Sequence, residues 1–136
     1  MGYDNRFHIV QKYGTEEEIN GKVYYPCEVI ATYEACGLSR DAECSFRNPN
    51  HQTALTFFDT VFKGCDKGGK EIWECDYVTE DKYGKPLTEF TIPEAIEILR
   101  EAERKEHYRR HTLLLGMLLA IDEAEWEGIR VLHYGH

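Results

Sequence analysis

The stretch Pro86-Leu87-Thr88-Glu89-Phe90-Thr91-Ile92-Pro93-Glu94-Ala95-Ile96-Glu97-Ile98-Leu99 decides the fold class, because its hydrophobic period changes part-way through. Pro86 to Thr91 reads as an extended segment. From Ile92 onward the apolar residues recur at helical spacing, with Ala95, Ile96, Leu99 and Ala102 on one face and Glu94, Glu97, Glu101 and Arg104 largely elsewhere. Thr91 and Glu94 frame the junction as a capping box: the threonine hydroxyl accepts from an early helix amide and the glutamate reaches back, while Pro93 costs nothing in the first turn. A strand running directly into a capped amphipathic helix that packs on a sheet belongs to a mixed α+β domain.

Immediately upstream, Glu71 to Val78 places Trp73, Cys75 and Tyr77 on one face. It is expected to pair with Pro86 to Thr91 as a hairpin turning through Glu80-Asp81-Lys82-Tyr83-Gly84. Near the N-terminus, Arg6 to Tyr13 alternates, and Asn20-Gly21 is a strong two-residue hairpin signal. The next strand, Val23 to Tyr33, carries Val23, Tyr25, Cys27, Val29, Ala31 and Tyr33 on one face, with Pro26 marking an edge or a bulge. Cys36 to Asn50 reads as a loop, His51 to Phe62 as a short helix, and Gly64 to Gly69 as its end. Glu103 to Arg110 is almost wholly charged, which divides the C-terminal region into two helices, and Gly128 to Tyr134 adds a last strand. The expected architecture is a single α+β domain over residues 1–136: an antiparallel sheet of four to five strands packed against two to three helices.

Composition narrows the function classes. The chain has 136 residues, 42% of them apolar and 30% charged, enough to bury one core under a strongly solvated surface. The net charge is −9, and Glu71 to Glu106 holds eleven carboxylates against five Lys/Arg. A pI near 5.1 argues against direct nucleic-acid binding, which draws its affinity from Lys and Arg on phosphates, and favours a basic protein partner. The longest apolar run, Leu113 to Ile121, is nine residues, whereas a membrane span needs about 20; no membrane association is expected. The N-terminus lacks an apolar run behind a basic head, so no signal peptide is read there. Five cysteines without a CxxC spacing fit reduced thiols and a cytoplasmic setting.

The chemistry-bearing residues point the same way. On the expected hairpin, Asp76 stands opposite Glu89 and Glu74 opposite Thr91, so Glu74, Asp76 and Glu89 share a face. Like charges facing each other destabilise a sheet, which leaves three readings: a solvated face relieved by neighbours, a divalent-metal site, or a surface kept for a cationic partner. With Glu80, Asp81 and Tyr83 at the hairpin tip, the trio forms the expected partner-binding surface, Tyr83 serving as an aromatic anchor. His107 and His111 are four apart, the spacing of two zinc ligands on one helical face, but no third ligand is tied to them and the HExxH pattern is absent. Cys44 and His51 are a thiol and an imidazole at an arbitrary spacing, and nothing local supplies the base that nucleophilic catalysis requires. No catalytic residue, metal ligand or cofactor is assigned. Leu113 to Ile121 covers more than one helical face, so Leu114, Met117, Leu118 and Ile121 are the expected interface of a homodimer.

Three segments carry a resemblance: Met1-Gly2-Tyr3-Asp4-Asn5-Arg6-Phe7, Glu28-Val29-Ile30-Ala31-Thr32-Tyr33 with Cys36, and Glu80-Asp81-Lys82-Tyr83-Gly84-Lys85-Pro86-Leu87-Thr88-Glu89. Over about a third of the chain it resembles small acidic proteins encoded on phages and mobile elements of Firmicutes. The resemblance implies a context of host-defence inhibitors, anti-CRISPR proteins among them, which occupy basic nucleic-acid channels. The expected function is a non-enzymatic binding protein engaging a basic surface of a nucleic-acid-handling host protein. A metal-binding protein or metal-dependent hydrolase, and a self-associating structural or accessory protein, are the competing expectations.

Overall fold

The computed structural model describes residues 5–13, 17–34, 38–52, 56–78 and 87–135. Seven strands, three α-helices and a short 3-10 turn follow one another: β1 (Asn5–Lys12), β2 (Glu17–Ile19), β3 (Lys22–Glu34), α1 (Arg40–Phe46), the 3-10 turn Pro49–His51, β4 (Thr56–Cys65), β5 (Glu71–Val78), β6 (Thr88–Thr91), α2 (Ile92–Lys105), α3 (Arg109–Glu123) and β7 (Ile129–Gly135). The class is α+β, as the strand-to-helix junction at Thr91 predicts. All seven strands join one sheet in the order β5-β4-β3-β1-β7-β6, with β2 continuing beside β3.

Asn20 and Gly21 both take positive φ, 53° and 79°, the twist a two-residue hairpin between β2 and β3 requires. In β3 the continuous apolar alternation is broken. Ile9 of β1 faces Ala31 and Val10 faces Val29, which leaves Ile30 as an extra residue on β3. A bulge of one residue flips the faces that follow it. Tyr25, Cys27 and Val29 therefore pack on one side of the sheet with Val10 and Leu132, while Tyr33 packs on the other with Phe7 and Ile9. Ile30 itself is 44% exposed. Pro26 lies inside the sheet, between the last β1 pair (Lys12 with Cys27) and the first β2 pair (Glu17 with Tyr24), where its carbonyl accepts from the Tyr13 amide.

Two expectations are overturned. Thr56 to Cys65 is strand and not helix, because it runs parallel to β3 after a crossover through α1, a helix inside the expected loop. Glu71–Val78 does not pair with the 88–91 strand; it forms a hairpin with β4, closed by Asp66, whose side chain accepts from the Gly68 and Lys70 amides at 2.8 and 2.9 Å. β6 instead pairs with β7 at the opposite end of the sheet. These changes add a parallel pair, β3 with β4, to the otherwise antiparallel pairings of the described strands.

The helices pack on one face of the sheet. Phe7, Ile9, Phe90, Ile129 and Val131 from β1, β6 and β7 meet Ile96, Leu99, Leu114 and Leu118 from α2 and α3, with Phe46 of α1 between. Phe46 stands edge-on to Phe7 and to Phe90, ring centres 4.8 and 5.2 Å away. The capping box at Thr91 and Glu94 forms as expected, and the residues read as the buried face of α2 are buried. The charged stretch separates α2 from α3 at residues 106–108. Leu114 and Leu118 are fully buried in this core, and Met117 and Ile121 pack against it. The expected dimer surface is thus largely spent within the chain itself, since two sides of α3 are used, on the sheet and on α2. Among the described residues, no helix is long and apolar enough to cross a membrane.

Candidate functional site

The two edges of the sheet are treated differently. At the β6 edge, Gln52 bridges to Thr88, and the His51 ring stacks on Phe90 at 4.7 Å. His51 Nε2 lies 2.5 Å from Glu94 Oε2, so the 3-10 turn is clasped to the start of α2. Burial works against ionisation of Glu94, but the hydrogen bonds from Thr91 and His51 outweigh it and hold the carboxyl below its usual value. Around this clasp, Asn50, His51, Gln52, Glu89, Thr91, Glu94 and Arg130 line a polar cleft of about 390 Å³. His51 and a carboxylate in a cleft resemble an acid–base dyad, yet Nε2 is held by Glu94 and Nδ1 is buried without a hydrogen-bond partner. Neither nitrogen is placed to take a proton from a ligand. The geometry is that of a clasp over a strand edge.

At the β5 edge no strand pairs with the outer side among the described residues. The β4–β5 hairpin forms this end of the sheet. It exposes Phe62 (49%), Ile72 (43%) and Trp73 (54%), the largest concentration of exposed apolar side chains among the described residues. Phe62 and Trp73 are cross-strand partners with ring centres 5.2 Å apart, and the Trp73 indole N–H donates to Glu71. By alternation Ile72 and Glu74 lie on the opposite face of β5. Glu74 is exposed and only loosely paired with Lys63, at 3.8 Å. Asp76 stands at the register position facing Asp59 of β4.

The expected acidic surface is thus divided. Glu74 and Asp76 lie on the β5 edge; Glu89 is on β6, at the other end of the sheet, where its Oε1 is 2.7 Å from Lys12 Nζ and 3.6 Å from Arg130 Nε. A side chain neutralised by two cations and one-fifth exposed is not a docking group, so Glu89 leaves the surface. Glu80, Asp81 and Tyr83 lie outside the described residues.

The histidine pair also comes apart. His107 is exposed in the break before α3, whereas His111 is fully buried within α3. The Ser39 backbone N–H donates to His111 Nε2 at 3.2 Å, tying α3 to the start of α1, and burial pushes the imidazole below its usual value. Among the described residues, no three His, Cys, Asp or Glu side chains converge as a metal cage would require. Cys44 and Cys65 are exposed free thiols, and Cys27 is buried in the sheet.

The exposed edge is legible only in part. Alternation in 71–77 puts Trp73 on one face of a strand, but the edge position of β5 depends on β4, where the sequence predicts a short helix. The signal was present in Thr56, Phe57, Phe58, Thr60, Val61 and Phe62, a run of strand formers ahead of Asp66-Lys67-Gly68-Gly69. No protein family, curated protein or solved structure matches the chain.

Proposed function

We propose that the protein is a non-enzymatic binding protein that engages a basic surface of a nucleic-acid-handling host protein, in the manner of a mobile-element inhibitor. One observation carries the reading: β5, without a strand on its outer side among the described residues, combines the exposed Trp73 with carboxylates and no basic residue of its own. Apolar surface of this kind is normally covered in a monomer or reserved for a partner. The carboxylates of β5 and the net charge of −9 set the sign of that partner.

The test is affinity capture of the tagged protein from host lysate with nuclease treatment, followed by binding to the purified partner across a salt series. The reading expects a basic nucleic-acid-handling protein retained after nuclease. Its affinity should fall about tenfold or more between low and physiological salt, because exposed charge pairs are screened over about 10 Å. Glu71→Lys with Glu74→Lys should abolish the interaction while leaving the thermal unfolding temperature in place. Salt-independent binding overturns the electrostatic reading.

A further inference from the structure

Around the circumference of α3, His111, Leu114, Leu115 and Leu118 are buried, while Met117, Leu119 and Ile121 are half-buried against the same core. The line diametrically opposite, Arg109, Leu113, Gly116, Ala120 and Glu123, is exposed. Leu113 is the most exposed large apolar side chain among the described residues, at 65%. Gly116 stands at the midpoint of the helix, where glycine costs helix stability relative to alanine. No heavy atom of the surrounding fold comes within 4 Å of the place its Cβ would take, so packing within one copy does not call for a bare backbone there. The close approach of another helix does. The charges at the two ends also run against the helix's own field: Arg109 and Arg110 occupy the first turn and Asp122 and Glu123 the last, where the macrodipole favours the opposite signs. Tyr108 gives the N-terminus no side-chain cap.

We propose that the outer face of α3 binds a second copy of the chain, the two helices packing antiparallel across a two-fold axis at Gly116. The inference is independent of the binding reading above. In this arrangement Leu113 fills the notch between Gly116 and Ala120 of the second copy, and Arg109 lies beside Glu123 of the second copy, twice over by symmetry. Along one helix Arg109 and Glu123 are about 21 Å apart at 1.5 Å per residue, so they cannot meet within a copy. Charge complementarity selects the occupant. A partner of uniform sign, basic or acidic, meets repulsion at one end of α3, whereas an antiparallel copy meets attraction at both. A contact between two 15-residue helices is smaller than the roughly 1,600 Å² of a standard interface, so the dimer is reversible, with a Kd in the micromolar range.

Sedimentation velocity of the full chain, from about 1 µM to about 1 mM, reads the association. The expected result is a mass that rises with concentration from the 15.9 kDa of one chain toward twice that value. Arg109→Glu and Glu123→Arg should each weaken the dimer about tenfold or more, by setting like charges side by side at both ends. The double variant, Arg109→Glu with Glu123→Arg, should restore it, because the exchange re-forms both pairs. Gly116→Glu places two carboxylates on the axis and should abolish the dimer, while its exposed position and better helix propensity keep the thermal unfolding midpoint at least as high as the parent's. A monomer throughout the concentration range overturns the proposal. A dimer that survives Gly116→Glu overturns it too and moves the contact elsewhere, the exposed Phe62 and Trp73 being the next surface to test. Single charge swaps without effect, or without rescue in the double variant, overturn the antiparallel pairing. Should Gly116→Glu unfold early, the charge swaps at the exposed ends of the helix decide alone.

Discussion

Lys12 Nζ lies 2.7 Å from Glu89 Oε1 and 4.3 Å from the centre of the Tyr25 ring, joining β1, β3 and β6 on the face of the sheet away from the helices. Both charged side chains are about four-fifths buried, so the ion pair is sheltered from solvent screening. Removing one partner strands a partly desolvated charge. Glu89→Gln and Lys12→Met should each destabilise by about 1–2 kcal/mol, and the double variant by less than their sum. Urea unfolding of the four proteins measures the coupling; strict additivity would mean the contact contributes nothing of its own.

Acid should loosen the fold before carboxylates titrate. Burial, with a smaller contribution from the Arg47 charge, lowers the His133 pKa to about 3, and burial lowers that of His111 as well. The folded state thus keeps these rings neutral while the unfolded chain protonates them near pH 6.5. Stability is complete above that pH, falls by about 1.4 kcal/mol per pH unit for His133 below it, and levels off near pH 3. Glu94, held below its usual value, adds a loss only under about pH 4.5. Denaturation midpoints at pH 7.5, 6.0 and 5.0 check the slope, which His133→Phe should flatten.

Thr91 accepts from the Glu94 amide at 3.3 Å, and Glu94 accepts in return from the Thr91 amide at 3.0 Å. Thr91→Ala should cost about 1 kcal/mol through the lost cap. Glu94→Ala should cost more, because it also frees His51 and the edge it covers. Faster exchange of the Thr88 to Phe90 amides in Glu94→Ala alone would identify that second contribution.

The bulge at Ile30 can be tested in two ways. Ile30→Thr changes an exposed side chain and should shift stability by less than about 0.5 kcal/mol. Deleting Ile30 makes Val29 and Ala31 consecutive, which keeps Val29 opposite Val10 and Ala31 opposite Ile9 and leaves every side chain of β3 on its own face. The deletion should therefore retain a cooperative urea unfolding transition, whereas its loss would mean that the fold needs the bulge itself.

That bulge marks where the chain stops being readable by alternation. Val23 to Tyr33 has perfect period two, and nothing local tells that the stripe serves two cores; the switch is imposed by β1, whose Ile9 and Val10 are both buried, on opposite faces. Local chemistry was readable where it acts within a few residues: the Thr91–Glu94 box, the Asn20-Gly21 turn, the gap between α2 and α3. Pairing between distant segments was not. Glu71–Val78 and the 88–91 strand are neighbours in sequence with suitable alternation, so they look like a hairpin, but each is better satisfied elsewhere, β5 by the Asp66 turn and β6 by β7. The acidic site inherited that error, losing Glu89 and gaining the exposed Phe62, Ile72 and Trp73.

The placement of β7 between β1 and β6 also sets an order of assembly. Arg6 of β1 pairs with Tyr134 of β7, so one flank of β1 has no partner until the chain emerging from α3 returns to it. The hairpins β2–β3 and β4–β5 can close early from local turns. The sheet as a whole waits on a contact between opposite ends of the chain, which makes folding slow for its size. Until then, both Ile9 and Val10 stand beside an open strand edge, and a growing chain stays aggregation-prone there until β7 has emerged.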